Sequence, residues 1–171
     1  MAGRCVTMRA ALVIAALVGL LALVACSTSE DTAPRQDLRA SVAASSTHKT
    51  LLAMIRQAGL VGTLQSPGPY TLFAPTDAAF AALPPGIERM LLAPENKDEL
   101  AQVLRYHLVS GRLTSADLEG KISTPETLEG GRLQIDGIGP EIVVGDATVV
   151  QAEIEASNGV IHVIDAVLLP Q

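Results

Sequence analysis

The sequence predicts an α+β domain, and three observations carry that prediction. Apolar residues recur at helical spacing through the middle of the chain, the last third alternates with period two, and an Asn-Gly pair joins two strand-like runs. Helices first and strands later argue against a repeating βαβ arrangement. With 171 residues there is room for one such domain and an appendage.

The appendage comes first. Residues 1–25 hold 20 apolar residues and only two charges, Arg4 and Arg9. The uncharged run from Ala10 to Ala25 is 16 residues long, short of the roughly 20 that a bilayer span takes. It reads as the apolar region of a secretory signal peptide over residues 1–25. Its end, Leu23-Val24-Ala25-Cys26, resembles the lipobox of bacterial lipoproteins. The resemblance implies recognition by a signal peptidase through Leu23, Val24 and Ala25, and thioether attachment of diacylglycerol to Cys26. Cys5 would leave with the leader, so the exported part has no cysteine pair for a disulfide. Residues 26–36 are polar and aperiodic and read as a flexible tether, whose ten or so residues reach at most about 35 Å.

The overall 49% apolar content is inflated by this leader; residues 26–171 are of ordinary hydrophobicity. Without Arg4 and Arg9 the formal charge falls from −6 to −8. An acidic domain with no basic stripe is a poor ligand for nucleic acid or anionic lipid. Only Tyr70, Phe73, Phe80 and Tyr106 are aromatic, which disfavours stacked-base and sugar-platform sites.

The folded part is expected over residues 37–171. Leu51, Leu52, Ile55 and Leu60 fall on one helical stripe, with Gly59 placed as a C-terminal cap. After the turn Pro67-Gly68-Pro69 comes a short strand, Tyr70 to Ala74, which Pro75 stops. Thr76 is placed as an N-cap, and Asp77 beside the positive end of the helix that follows, which Pro84-Pro85 terminates. A longer helix opens at Pro94 and carries Leu100, Val103, Leu104, His107 and Leu108 on a single buried stripe, with Tyr106 beside it.

Farther on, Val150, Ala152, Ile154 and Ala156 alternate with Val149, Gln151, Glu153 and Glu155, as in a strand with one apolar face. Asn158 and Gly159 suit a hairpin turn in which both positions have positive φ. The returning strand, Val160 to Leu169, is apolar on both faces and so is expected to be covered on both. Asp165 within it would need a hydrogen-bond partner, because an unpaired buried carboxylate is costly.

Three segments in register resemble a known family. Tyr70-Thr71-Leu72-Phe73-Ala74-Pro75-Thr76-Asp77-Ala78-Ala79-Phe80 is similar to the first signature of the fasciclin-like domain, Leu104-Arg105-Tyr106-His107 to its central Tyr-His motif, and Asn158 to Pro170 to its second signature. The resemblance implies a single fasciclin-like domain, a twisted β-wedge packed against a helical layer. It implies a monomeric, non-enzymatic module for adhesion or protein contact at the bacterial cell envelope, whose partner is an envelope, neighbouring-cell or matrix component. It also marks Tyr106 and His107, with Leu104 and Leu108, as candidate partner-binding residues, and Thr76, Asp77, Asn158, Gly159, His162 and Asp165 as residues of the structural signatures. His107 lies on the buried stripe, where a core histidine bonded to a neighbour is the plainer role. The alternative function is an extracytoplasmic binder of an apolar molecule such as a carotenoid or lipid, as some relatives of the fold are.

An enzyme would need groups that the sequence does not supply. His162 and Asp165 stand three apart on a strand and so point to opposite faces. No Cys or His pair has zinc-ligand spacing, no glycine-rich phosphate loop is present, and no Ser lies in a nucleophile elbow. No cofactor and no metal are expected.

Overall fold

The computed structural model describes residues 36–170. The leader, the lipobox with Cys26 and nearly all of the tether lie outside the described residues. Helix α1 (Leu38–Ala44) starts where the Asp37 carboxylate accepts the Ala40 amide at 2.7 Å. Helix α2 (Lys49–Ala58) buries Leu51, Met54, Ile55 and Ala58 and ends at Gly59, whose φ of 76° is the left-handed cap that glycine adopts without strain. Short α3 (Val61–Gln65) leads to strand β1 (Tyr70–Pro75), which runs straight into α4 (Asp77–Ala81) through the Thr76 N-cap. Helix α5 (Ile87–Leu91), which periodicity did not reveal, precedes a 3₁₀ turn, Pro94–Asn96, and α6 (Lys97–Tyr106). Strand β2 (Leu108–Ser110), helix α7 (Ser115–Leu118) and the short strands β3 (Ile122–Ser123), β4 (Ile135–Asp136) and β5 (Val143–Val144) follow. Strands β6 (Ala147–Ala156) and β7 (Gly159–Ile164) end the fold.

All seven strands join one sheet in the order β2-β1-β7-β6-β5-β4-β3. At its centre β1 and β7 run parallel, Tyr70 opposite Gly159 through Pro75 opposite Ile164, while every other pairing is antiparallel. Alternation across this register sorts the core into two clusters. Leu72, Ala74 and Ile161 face the helices, packing with Leu38, Leu51, Ile55, Phe80, Leu100 and Leu104. Phe73 and Ile164 face the other side, packing with Val109, Leu118, Leu133, Ile135, Val144 and Leu168. The strand β7 is buried at all six positions, as its doubly apolar pattern required.

Four local expectations are corrected. The last strand stops at Ile164, so Asp165 is not enclosed: it is exposed, and its carboxylate accepts the Thr148 amide at 2.7 Å. Leu108 is the first residue of β2, because α6 ends at Tyr106 with His107 as its cap. The simple alternation along β6 fails, since its register against β7 slips between Val149 and Gln151 and again between Gln151 and Ile154. Each slip moves the next side chain to the other face, which leaves Val150 58% exposed while Val149 and Ile154 pack inward.

The fourth correction concerns the hairpin. Among the described residues neither Asn158 nor Gly159 has positive φ. The turn residues are Ser157 and Asn158, and Gly159 is already in the strand. Glycine is needed there for close approach, because a Cβ would overlap the Tyr70 carbonyl oxygen across the parallel pair. Replacing Gly159 by Ala is therefore expected to cost about 1–3 kcal/mol or to prevent folding. Gly62→Ala, in α3 with nothing near its added methyl, is expected to add about 0.5–1 kcal/mol. Urea midpoints of the two variants check this, and equal effects would refute the close-approach reading.

Candidate functional site

The Tyr-His segment closes α6, and its two residues face different ways. The acidic Asp98 and Glu99 lie in the first turn and Arg105 in the last, both favourable to the helix dipole. Leu100, Val103 and Leu104 hold the helix on the core. His107, 1% exposed, turns inward. Its Nδ1–H donates to the Val103 carbonyl at 2.7 Å, and its Nε2 accepts the Leu168 amide at 3.0 Å. Its own carbonyl accepts the Phe73 amide of β1 at 2.9 Å. One residue thus ties the end of α6 to the central sheet and to the segment after β7. Both ring nitrogens are used by the neutral form, and burial holds the pKa down at about 4, against 6.5 for a free histidine.

Leu104 and Leu108, 6% and 3% exposed, are likewise core residues. Tyr106 is the one member of the four with an accessible side chain, being half-buried. Its ring packs beside the second core cluster, and its hydroxyl points to the Arg132 carbonyl at 3.4 Å. It walls an open groove of about 560 Å³ that also exposes Glu129, Arg132, Gln134, Asp136 and Asp146. Three carboxylates, one guanidinium and a phenol make this a polar surface suited to hydrogen bonding and ion pairing with a protein.

The signature residues are joints. Thr76 caps α4 as expected, its Oγ1 accepting the Ala79 amide at 3.2 Å. Asp77 stands in the first turn of α4 as expected and does more: its carboxylate accepts the amides of Thr50 at 2.8 Å and Lys49 at 3.4 Å, closing the N-terminus of α2 from 27 and 28 residues away. Those bonds outweigh its slight burial and lower its pKa. Asn158 is a hub. Its Oδ1 accepts the Leu38 amide at 2.9 Å, its Nδ2 donates to the Leu64 and Ser66 carbonyls at 2.8 and 2.9 Å, and its own carbonyl accepts the Tyr70 amide at 3.1 Å. His162, fully buried and stacked on Phe73 with ring centroids 5.6 Å apart, donates from Nε2 to the Leu113 carbonyl at 2.8 Å.

Residues 46–170 match the Fasciclin domain family. The chain belongs to that family. Among its relatives is protein sll1483 of Synechocystis, 46% identical over 75% of this chain and 70% of that protein. Another is the cell surface glycolipoprotein MPB83 of Mycobacterium bovis, 34% identical over 65% of this chain and 48% of that protein. The fold matches a solved structure of a FAS1 domain pair from the insect cell adhesion molecule Fasciclin I, with a TM-score of 0.55 and 23% identity, over 70% of this chain and 44% of that one. Fasciclin domains are non-enzymatic modules of adhesion and protein interaction, and bacterial relatives include cell-surface proteins.

Within this fasciclin domain two of the sequence's three histidines are committed to the scaffold. His107 spends both nitrogens on backbone, and His162 keeps Nε2 on Leu113. Among the described residues no three His, Cys, Asp or Glu side chains converge on a metal position. The apolar cavity under Leu104 and Leu108 holds only about 20 Å³, whereas small-molecule pockets run to roughly 300–1,000 Å³. Two buried polar residues have partners that the sequence does not reveal. Buried Thr71 donates to the Gly111 carbonyl and accepts the Leu113 amide, and buried His48 bonds Ser45 Oγ at 2.7 Å through Nδ1. Thr71 stands within the first signature, the only hint available.

All three histidines have pKa values pushed down by burial. Between the free value of 6.5 and the folded value of about 4 for His107, the unfolded chain takes up a proton that the folded one refuses. Stability is therefore complete above about pH 6.5 and falls as pH drops through this window, by about 3 kcal/mol for His107 alone, with His48 and His162 adding in the same direction. The depressed carboxylates Asp77 and Asp117 act lower, beneath 3.8. Urea unfolding followed across this range measures the slope, and a flat profile would contradict the buried neutral state.

Proposed function

We propose that this protein is a lipid-anchored, non-enzymatic adhesion or protein-interaction module of the bacterial cell envelope, presenting the groove at Tyr106 to a protein of the envelope, a neighbouring cell or the matrix. The observation that carries the reading is the division of labour at the Tyr-His motif: His107, Leu104 and Leu108 are enclosed, and Tyr106 opens onto a polar groove. A tyrosine that is rigidly seated and has an accessible edge is the residue type that dominates protein interfaces. Anchoring rests on Leu23-Val24-Ala25-Cys26 and is supported by a relative named as a cell surface glycolipoprotein. The net acidity of the chain favours a partner carrying lysine or arginine at the contact.

Two experiments test the two halves. In cells fed a clickable palmitate, the wild-type chain is expected to be labelled and to sediment with membranes, and Cys26→Ser to be unlabelled; labelling of the mutant sinks the anchor. Crosslinking of the lipidated protein in its host identifies the partner. With that partner, Tyr106→Ala is expected to weaken binding about thirtyfold, or about 2 kcal/mol, measured well below the melting temperature, which loss of the ring from the second core cluster lowers. Exposed Gln102→Ala on the same helix serves as the control and should bind normally. Normal binding by Tyr106→Ala would move the contact elsewhere on the domain.

A further inference from the structure

We propose that Asn158 is a modification site, a spontaneous deamidation step that the folded domain holds shut and that opening of the C-terminal hairpin releases, after which the native fold is not regained. The chemistry belongs to the Asn-Gly pair. The Gly159 backbone nitrogen attacks Asn158 Cγ and forms an N–Cγ bond. The Cγ–Nδ2 bond breaks, and the proton from the attacking nitrogen leaves with Nδ2 as ammonia. Water then opens the succinimide at either carbonyl, giving aspartate or isoaspartate. The net change is carboxamide plus water to carboxylic acid plus ammonia, with no oxidant or reductant. Glycine at 159 favours the attack because no Cβ shields its nitrogen.

The native structure blocks this reaction at both reacting groups. The carboxamide is held by the Leu38 amide and by the Leu64 and Ser66 carbonyls. The nucleophile belongs to buried Gly159, fixed between β6 and β1 by pairing with Ala156 and Tyr70. For nitrogen and Cγ to meet, the three side-chain bonds and the strand pairing must release together, so the reaction samples only the open state.

The same contacts make the product incompatible with the fold. A carboxylate at 158 has no proton to offer Leu64 and Ser66, so oxygen would face two carbonyl oxygens at hydrogen-bond distance. Isoaspartate also lengthens the main chain by one carbon just before Gly159, where the Tyr70 carbonyl leaves no space for even a methyl group. Repair by local adjustment would require shifting β7 against β1, and a register change reverses which side chains face each core cluster.

The test uses the full chain, kept folded or kept in urea for matched times in mildly alkaline buffer, followed by peptide mass mapping. Asn96, followed by Lys97 and the only other asparagine, is the internal reference for sequence-controlled reactivity. Deamidation at Asn158 is expected to be roughly tenfold faster or more in urea than in the folded sample. After dilution from urea, the refolded fraction should be depleted of the modified chain and the unfolded fraction enriched in it, a comparison that needs no variant. Equal rates in the two samples would overturn the shielding, and modified chains refolding in proportion to their abundance would overturn the one-way consequence.

Discussion

The parallel pairing of β1 with β7 is the constraint on which the rest of the molecule depends. It joins Tyr70–Pro75 to Gly159–Ile164, whose paired residues stand 89 apart in the chain, so the chain must close a long loop before the pairing contributes anything. Both strands are covered on both faces, by helices on one side and by the smaller strands with α7 on the other. Much of what the signature residues do is to hold this closure. Asn158 ties the start of β7 to α1, α3 and β1; His107 ties β1 to α6 and to the segment beyond β7; Gly159 allows the two backbones to touch.

Periodicity located the elements whose side chains face one thing. Leu51 and Ile55 of α2, Leu100, Val103 and Leu104 of α6, the Thr76 cap and the doubly apolar β7 are local patterns with local causes and appear where the spacing puts them, whereas Leu60 and Leu108 lie past the helix ends. Residues whose partners are distant in sequence carry no such pattern. Asp77 sits beside a helix start that it does not cap, and its partners lie 27 and 28 residues back in α2. Asn158 and Gly159 read as a turn with positive φ because the pair is commonest there, yet their constraint is the neighbouring strand. The slips in β6 are invisible for a related reason: an inserted residue changes facing without changing composition.

The functional motif shows the same limit at the scale of two residues. Tyr106 and His107 are adjacent in sequence, and the helix ends between them. The histidine is committed to three elements of the scaffold, while the tyrosine borders the groove. On the proposed reading, a motif of this kind specifies the fold and positions a contact in the same few residues. It can therefore persist across partners that share nothing with one another.

The irregular course of β6 has a consequence for self-association. From Val150 to Ala156 this strand has β7 on one side and no strand on the other among the described residues. An open, flat edge of that length would be a template for another chain. Here the two slips, and Glu153 held at a φ of 63° within the second, twist the backbone groups out of line and set charges along the border. Neighbouring copies at high local concentration can then stand side by side without zipping their sheets into a fibre.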